Sequence, residues 1–428
     1  MSNYIVSDTD LTSVANAIRT KSGSNSQLSF PTEFVTSIEN ISVPQFDEDA
    51  DFCFWDYDGT PLYSFSKAEI QTMTQLPSPP DHSIDDIPLS FLGWNWSLED
   101  LKALNCPMDI GAYYRPTDGK MHWTYRLTSA TGLTCSFTIS GNSVIINWGD
   151  GTEELWGSST DNGTSATHTY AAPGDYHCTW YGEGRPTTKL RTEDNKCVIG
   201  KFVVGDNMTG YWLSSYWKNT LDDARIETFV TNCAVSGKTS MSLPATTGCT
   251  LLKAFVFPPY FVGRDSNLKN CYNLKRVCLS KTLDEVGTIN EGRDYCCSNS
   301  TQLDRIRFSP NMGKIVYQRF TFSNSQIKFF NGYALTYKCL ENCRTLERLV
   351  IKSTIDSTAL GANCVNIKEI WCGLTTPPTL SASTPFSGLL PYAKIHVPAS
   401  ALQDYQEASN WSVYADRIVG DWTEDPVK

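Results

Sequence analysis

The residues in this 428-residue chain that suit chemistry are five histidines and a surplus of acidic residues. The histidines are at positions 82, 122, 168, 177 and 396. None belongs to a G-x-S-x-G or H-E-x-x-H pattern, and the sequence has no glycine-rich phosphate loop. A pair of carboxylates that cleaves glycosides stays a possibility, because the distance between two such groups depends on the fold. With no positive evidence of catalysis, we expect no catalytic residue, metal or cofactor and predict that the protein is not an enzyme.

Several acidic loops flanked by glycine resemble calcium ligands at first sight. In INWGDGTEELW, residues 146–156, Gly149 and Gly151 allow a positive φ, and Asp150 can accept hydrogen bonds from nearby backbone amides. We therefore predict a turn there. A calcium ion is the alternative, and it also stays open for TDNGTS at 160–165.

The loop in DYDGTPLYSF, residues 56–65, lacks the spacing of an EF-hand. A calcium loop that started at Asp56 would need a ligand at position 60 and a glutamate at position 67. The chain has Thr60 and Lys67 there. We predict a hairpin turn.

The cysteines favour free thiols. Their number, fifteen, is odd, and the chain is too long for a small disulfide-stapled domain. Spacing typical of a zinc site is missing, since Cys296 and Cys297 are adjacent and the pair Cys339 and Cys343 has no second pair.

Composition bounds the class of protein. Aromatic residues reach 12% while charged residues make up only 19%, which favours β-rich modules, and the length indicates three or four of them. The net charge of -11 and the lack of any basic stripe argue against nucleic-acid binding. No segment approaches 18 apolar residues and the start has no basic region before an apolar run, so we expect no membrane partner and no export signal.

The first segment, 1–43, predicts two short helices. Residues 8–23 carry an apolar stripe with Thr9 or Asp10 as N-cap and Gly23 after the end, and FPTEFVTSIENI repeats the pattern. Such short helices need a docking surface, either within the chain or on a partner. The apolar residues that we expect to serve assembly are Leu11, Val14, Ile18, Phe34 and Ile38.

The next segment, 44–118, predicts two strands around an Asp-Gly turn, a short helical patch, a Pro-rich crossing and a strand that ends in GWNW. This order resembles the internalin-type B-repeat, and the resemblance implies a small β-grasp-like unit.

Segment 119–205 is denser in predicted strands. A Trp-x-Asp-Gly corner is followed about twenty residues later by a His-x-Tyr-x-x-x-Gly-x-Tyr pattern, with Trp148, Asp150, Gly151, His168, Tyr170, Gly174 and Tyr176. These residues resemble the signature of a PKD-like domain, and the resemblance implies a β-sandwich. We predict that His168 is a hydrogen-bonding corner residue and not a base.

From position 226 a short template recurs, with apolar residues three and five positions after a leading one. The leading residues are Ile226, Leu252, Leu274, Leu303, Ile327, Leu346, Ile367 and Tyr392, spaced 19 to 29 apart. Such a period predicts a solenoid, here over 206–380. Three positions before a leading residue a small side chain recurs in a tight slot: Cys249, Cys271, Ser300, Cys343 and Cys364.

These stretches resemble the BspA-type leucine-rich repeat. Residues 381–428 then predict a strand that Pro398 stops and a capping helix with Leu402, Tyr405 and Ala408 inward. The fold class we predict is mainly β and multidomain, with short N-terminal helices, a β-grasp-like unit, a PKD-like β-sandwich and a leucine-rich-repeat solenoid with its cap.

A solenoid presents equivalent side chains over an extended face, which suits macromolecular recognition. Aromatic side chains on loops supply contact area and can stack on sugars. Our candidate surface aromatics, each of which could instead pack in a core, are Trp94, Trp96, Trp212, Tyr216, Trp217, Tyr260 and Tyr295.

The order of these modules resembles phage and prophage tail, baseplate or fibre proteins of gut Firmicutes. The resemblance implies a homo-oligomeric virion structural protein that joins other virion proteins through its N-terminus and binds a host surface protein or polysaccharide. A bacterial cell-surface adhesin and a glycan-degrading tail enzyme are the alternatives.

Overall fold

A computed structural model describes most of the chain. The described residues are 8–22, 46–79, 82–84, 87–128, 130, 133–140, 143–156, 164–182, 185–186, 197–203, 228–230, 249–257, 268, 270–279, 281, 297–308, 322–331, 338–352, 355, 360, 363–380, 386 and 388–426. The chain forms two compact units, Met1–Asp47 and Glu48–Lys428.

The first unit contains helix α1, Asp8–Ser22, which confirms the helix predicted at 8–23. Because the helix begins at Asp8, Thr9 and Asp10 lie inside it and are not its N-cap. Ile18 is buried, Leu11 is half-buried, and Val14 is 48% exposed. The second predicted helix, with Phe34 and Ile38, lies outside the described residues.

The second unit is mainly β. Its described strands are β1 (Phe52–Trp55), β2 (Pro61–Phe65), β3 (His82–Ile84), β4 (Ile87–Trp94), β5 (Met108–Pro116), β6 (Met121–Leu127), β7 (Thr134–Ser140), β8 (Val144–Asn147), β9 (Glu153–Trp156), β10 (Thr164–Thr169), β11 (Gly174–Gly182), β12 (Arg185–Pro186), β13 (Cys197–Val203), β14 (Thr228–Val230), β15 (Ala254–Val256), β16 (Arg276–Cys278), β17 (Phe329–Phe330), β18 (Arg348–Ile351), β19 (Ile367–Cys372), β20 (Leu389–His396) and β21 (Ile418–Val419). Its described α-helices are α2 (Lys67–Thr72), α3 (Leu98–Ala103) and α4 (Leu402–Glu407), and two 3₁₀ turns are Ala399–Ala401 and Ser412–Arg417.

Residues 48–116, which we call the small sheet module, form a five-stranded sheet in the order β2-β1-β5-β4-β3. The predicted hairpin joins β1 to β2: Gly59 has a φ of 86°, and the Thr60 amide donates to Asp58 Oδ1 at 2.8 Å. Helices α2 and α3 begin with complete capping boxes at Ser66 and Ser97, which fix where these short helices start.

Residues 121–203, the two-sheet module, contain a three-stranded sheet in the order β10-β7-β12 and most of a six-stranded sheet in the order β14-β13-β6-β11-β8-β9. The predicted turn between β8 and β9 is confirmed. Gly149 and Gly151 have φ values of 81° and 91°, and Asp150 Oδ1 accepts from the Thr152 amide at 3.0 Å.

The C-terminal part is a β-solenoid of about five turns, as the period predicts. Strands β17 to β21 form one parallel ladder, and β15 pairs with β16 in parallel. The described leading residues of the repeats are buried at Leu252, Leu274, Leu303, Ile327, Leu346 and Ile367. The small side chains are also buried, at Cys249, Cys271, Ser300, Cys343 and Cys364, which confirms the tight slot.

Tyr392 is the exception among the leading residues, since it is 66% exposed. In the ladder Leu389 stands opposite Ile367, and Lys394 stands opposite Glu369. The last rung therefore carries three extra residues in a bulge, which turns Tyr392 outward and gives the leading position to Leu389.

A ladder of asparagines runs along the solenoid and was not predicted. Its side-chain amides donate in sequence, Asn299 to Asn270 at 2.7 Å, Asn324 to Asn299 at 2.6 Å, Asn342 to Asn324 at 2.9 Å and Asn363 to Asn342 at 2.8 Å. All five have a positive φ, between 60° and 78°. Asparagine tolerates this left-handed backbone and its amide both donates and accepts, so one residue type turns the chain and links successive rungs.

One hydrophobic core continues from the two-sheet module through the solenoid to Ile418. The connection is visible in the backbone as well, because β14 pairs in parallel with β13. The small sheet module has its own core, to which Val203 at the end of β13 contributes. None of the described helices is sufficiently long and apolar to cross a bilayer.

Candidate functional site

The candidate surface aromatics that the structure describes are interior residues. Trp94 ends β4 with 8% of its surface exposed and its indole donates to the Pro77 carbonyl at 2.8 Å, while Trp96 is 3% exposed and donates to the Leu279 carbonyl at 2.8 Å. The prediction that they are exposed loop residues is wrong, because the solenoid covers Trp96 and the core of the small sheet module encloses Trp94. Trp212, Tyr216, Trp217, Tyr260 and Tyr295 lie outside the described residues.

Between these tryptophans, Asn95 ties the small sheet module to the solenoid. Its Nδ2 lies 3.1 to 3.3 Å from the carbonyl oxygens of Phe257, Cys278 and Leu279. Its Oδ1 accepts from the Gly111 amide at 2.9 Å. The buried amide thus satisfies groups on both sides, and the two parts are fixed in one orientation.

The contact continues as an arginine cluster around Asp109, which is buried in β5. Arg305 donates to both carboxylate oxygens, from Nη2 at 2.8 Å and from Nε at 3.2 Å. Arg307 Nη1 lies 3.8 Å from the same carboxylate, and Trp55 donates to it at 2.9 Å. Burial opposes the charge on Arg305, but Asp109 outweighs this and raises the pKa of Arg305.

A third arginine, Arg276, is 3% exposed and stacks over the Trp55 ring, with its Cζ 4.8 Å from the ring centroid. It forms ion pairs with Glu48 at 2.8 Å and with Asp304 at 2.5 Å. The small sheet module is therefore held on the solenoid by charge-assisted hydrogen bonds as well as by apolar packing.

The arginines belong to what we call the outer strand face of the solenoid. Along each rung the side chains alternate, so the residues between the buried core positions point to the opposite side of the strands. The register places Phe329, Arg348, Glu369 and Lys394 in one row of this face, and Val350, Trp371 and His396 in the next. The small sheet module lies against β14, β15 and β16 and covers the first rungs.

Where that cover ends, a cavity of about 250 Å³ lies between the small sheet module and the solenoid. We call it the junction cavity. Among its described lining residues, five are basic and three are acidic, so the described part of the lining carries an excess of positive charge. Its lining residues are Glu48, Asp49, Cys106, Pro107, Arg276, Asp304, Arg305, Ile306, Arg307, Phe308, Lys328, Phe329, Asn331 and Arg348.

Several polar groups of the junction cavity lack partners in the described part of the chain. Lys328 and Arg348 form no ion pair or side-chain hydrogen bond there, although Arg348 Cζ lies 5.3 Å from the centroid of the Phe329 ring. The buried Asn331 Oδ1 and Arg276 Nε are also without hydrogen-bond partners. Buried polar atoms of this kind usually find a protein, water or ligand partner.

The histidines occupy other places. His168 Nε2 donates to the Asp150 carboxylate at 2.8 Å, and the ring stacks on Trp148 with the ring centroids 4.9 Å apart, as predicted for a corner residue. His122 lies 2.9 Å from both Asp118 and His177, a chain that the sequence did not indicate. Burial lowers the pKa of His122 despite the neighbouring Asp118 carboxylate.

Across the ranges the structure covers, no group of three or more His, Cys, Asp or Glu side chains is placed to hold a metal ion. The cysteines with described side chains are buried free thiols. The loop at 160–165 is described only in part. The junction cavity brings charged, polar and apolar side chains together and is the candidate binding site.

The sequence did not indicate the junction cavity, because its lining comes from separate stretches of the small sheet module and of several rungs and forms no known motif. The signal that could have found them is the repeat itself: Arg276, Arg305 and Arg348 each follow a leading residue by two positions, and Arg307 and Asn331 by four. No protein-family model matches this chain, and a search of curated proteins found no match either.

Proposed function

We propose that the protein is a non-enzymatic recognition protein of a phage virion, a tail, baseplate or fibre component that presents its solenoid to a host surface. The observation that carries this proposal is the outer strand face: parallel rungs hold rows of outward side chains on one continuous core. A rigid array of this kind binds extended polymers without losing much conformational entropy. The junction cavity supplies a concave, charged place on the same face.

In this proposal the small sheet module is a β-grasp-like unit related to the internalin B-repeat, the two-sheet module is PKD-like, and the rungs are BspA-type leucine-rich repeats. The hairpin at Gly59, the corner of Trp148, Asp150 and His168, and the buried small residues at Cys271 and Cys343 support these assignments. The virion assignment is supported by the module order in the sequence.

We assign attachment and self-association to α1 and the segment that follows it. Val14 is an exposed apolar residue of α1, so Val14→Glu should reduce incorporation into particles or self-association. Asn16→Glu, an exposed change two residues away on another side of the helix, is the matched control. Equal assembly of the Val14→Glu variant and the wild type would remove the helix from the interface.

The recognition role is tested with the purified full chain and cell-envelope fractions of gut Firmicutes. We expect retention on an envelope fraction without release of sugar products, and we expect peptides of this chain in purified particles. Release of new reducing ends would replace the proposal by a tail enzyme. Display on bacterial cells that contain no particles would replace it by an adhesin, and neither retention nor presence in particles would refute it.

A further inference from the structure

The junction cavity carries a more specific inference about the ligand, which rests on the proposed recognition function. We propose that this cavity binds a single sugar residue that bears an oxyanion, as part of an acidic polysaccharide. The ligand class follows from three features of the lining: unpaired cations, an unpaired acceptor and an apolar wall.

Two cations of the cavity are available to bind a negatively charged group of a ligand. Lys328 and Arg348 line the cavity and are without an acidic partner among the described residues, whereas Arg276, Arg305 and Arg307 are occupied by Glu48, Asp304 and Asp109. An arginine can bind a carboxylate or a phosphate through two parallel hydrogen bonds. Arg348 is half-buried, which strengthens such a bond because water screens its charge less than that of the exposed Lys328.

The unpaired acceptor favours a ligand that also carries hydroxyl groups. Asn331 Oδ1 is buried and has no donor within the described residues, and it would repel the oxygens of a phosphate or carboxylate that came close. A hydroxyl group satisfies it by donating a hydrogen bond. The ligand should therefore combine an oxyanion with hydroxyl donors.

The apolar part of the lining fits a sugar ring. Phe329 is half-buried and contributes carbon surface beside the charged groups, whereas Ile306 and Phe308 belong mainly to the solenoid core. A sugar presents C–H faces together with polar edges. The cavity of about 250 Å³ is smaller than the roughly 300 to 1,000 Å³ typical of sites for drug-sized ligands, so it suits one residue of a chain.

An acidic peptide is the less suitable polymer. An extended peptide usually adds to a free strand edge or needs pockets for alternate side chains. Strand β18 is paired on both sides, with β17 and β19. The backbone that leads into β17 is bonded to the preceding rung, since the Gln326 amide donates to the Leu303 carbonyl at 2.8 Å and the Lys328 amide to the Asp304 carbonyl at 3.3 Å. A polysaccharide whose charged residues enter one at a time needs no strand edge.

The test is a titration of the full chain with glucuronic acid, glucose 6-phosphate, glucose, inorganic phosphate and a tetra-aspartate peptide, followed by calorimetry or ligand-observed NMR. We expect at least one charged sugar to bind at millimolar or lower concentration, glucose to bind about tenfold more weakly, and added salt to weaken the charged sugar. The two charged sugars distinguish a carboxylate source from a phosphate source.

The variants are Arg348→Gln and Lys328→Gln, each expected to weaken the charged sugar about tenfold, the loss of one charge-assisted hydrogen bond. Asn331→Asp should also weaken it by placing a like charge beside the ligand. Lys394→Gln is the matched control, because it removes one positive charge from the same row of the outer strand face away from the cavity. Circular dichroism confirms folding, and the exposed Lys328 keeps the test informative if Arg348→Gln is unstable.

The proposal is overturned if glucose binds as tightly as the charged sugars, if neither charged sugar binds, or if Arg348→Gln and Lys328→Gln bind like Lys394→Gln. Inorganic phosphate or the peptide as the tighter ligand would also overturn it. Retention on envelope fractions is measured separately. If neither glucuronic acid nor glucose 6-phosphate inhibits this retention, the proposal for the cavity is wrong, but the proposed recognition function is not contradicted.

Discussion

Gly111 in β5 and Val256 in β15 lie so close that a Cβ on Gly111 would be 2.4 Å from Cγ1 of Val256. The two residues come from the small sheet module and the solenoid, and the contact explains why a glycine occupies a strand interior, where it is otherwise unfavourable. The absence of a side chain lets Asn95 meet the carbonyl ends of β15 and β16. The close packing of the two parts at this point therefore requires a residue without a Cβ at position 111.

We predict that Gly111→Ala lowers the free energy of unfolding by about 1 to 3 kcal/mol through overpacking. Val256→Ala in the same chain should restore part of that loss, because it removes the methyl groups that clash. Denaturant unfolding of both single variants and the double variant measures the coupling. Gly200→Ala is the control, since its nearest neighbour, Arg126, is at an ordinary 3.8 Å. Strictly additive effects of the Gly111 and Val256 changes would contradict the packing argument.

The charge at Asp109 makes a second contribution to the same docking. Asp109→Asn should lower the free energy of unfolding by about 3 to 5 kcal/mol, because it leaves Arg305 and Arg307 without their buried partner. Asp175→Asn breaks the exposed pair of Asp175 with Arg126 and should cost less than about 1 kcal/mol. Similar losses in both variants, measured by denaturant unfolding at the same ionic strength, would show that burial adds nothing to the Asp109 cluster.

Local and periodic features could be predicted from the sequence. The turns at Gly59 and Gly149 follow from glycine and aspartate chemistry within a few residues. The buried Leu274 and Cys343 follow from a repeat that samples the same environment many times. In each case the evidence lies within one rung or one turn, so no distant contact has to be known.

Features that depend on contacts between distant parts of the chain could not be predicted from the sequence. The sequence indicates that Trp96 is a loop aromatic, but in the structure it contacts Leu279 of the solenoid. Arg348 has the sequence context of an ordinary surface arginine, but the small sheet module and the solenoid form the junction cavity beside it. Tyr392 fits the template in spacing, but an inserted bulge changes which side of the strand it occupies. The pattern of apolar residues in the sequence shows neither which side chains another module covers nor where extra residues form a bulge.

The asparagine ladder gives a prediction about the rungs themselves. Asn324 donates to Asn299 and accepts from Asn342, and its φ is 61°. Asn324→Gly should lower the free energy of unfolding by about 1 to 2 kcal/mol through the two lost hydrogen bonds, and Asn324→Ala by about 1 kcal/mol more because alanine disfavours a positive φ.

Asn410→Gly is the matched control for the ladder. Asn410 has a φ of 67°, and its side chain makes one hydrogen bond, to the Leu380 carbonyl at 2.7 Å, outside the ladder. Its loss should be smaller than that of Asn324→Gly in the same unfolding assay. An Asn324→Gly variant as stable as the wild type would mean that the amides do not link the rungs.

The buried thiols predict a loss of stability at alkaline pH. Burial raises the pKa of Cys343 to about 11 and that of Cys364 to about 12, against 9.0 for an unperturbed thiol. Between these values the unfolded chain loses a proton that the folded chain keeps. The stabilisation is therefore complete below pH 9 and is lost as the pH rises towards the folded pKa, at up to about 1.4 kcal/mol per pH unit and thiol.

Cys343→Ser isolates one of these contributions. Serine already occupies the corresponding slot at Ser300 and Ser325, and a hydroxyl can donate to the Phe322 carbonyl as the Cys343 thiol does at 3.1 Å. We expect little change in the free energy of unfolding at pH 7.5 and a shallower decline than in the wild type between pH 9 and 10.5. Because serine does not ionise in that range, parallel pH profiles for the two proteins would show that Cys343 does not contribute to the alkaline loss of stability.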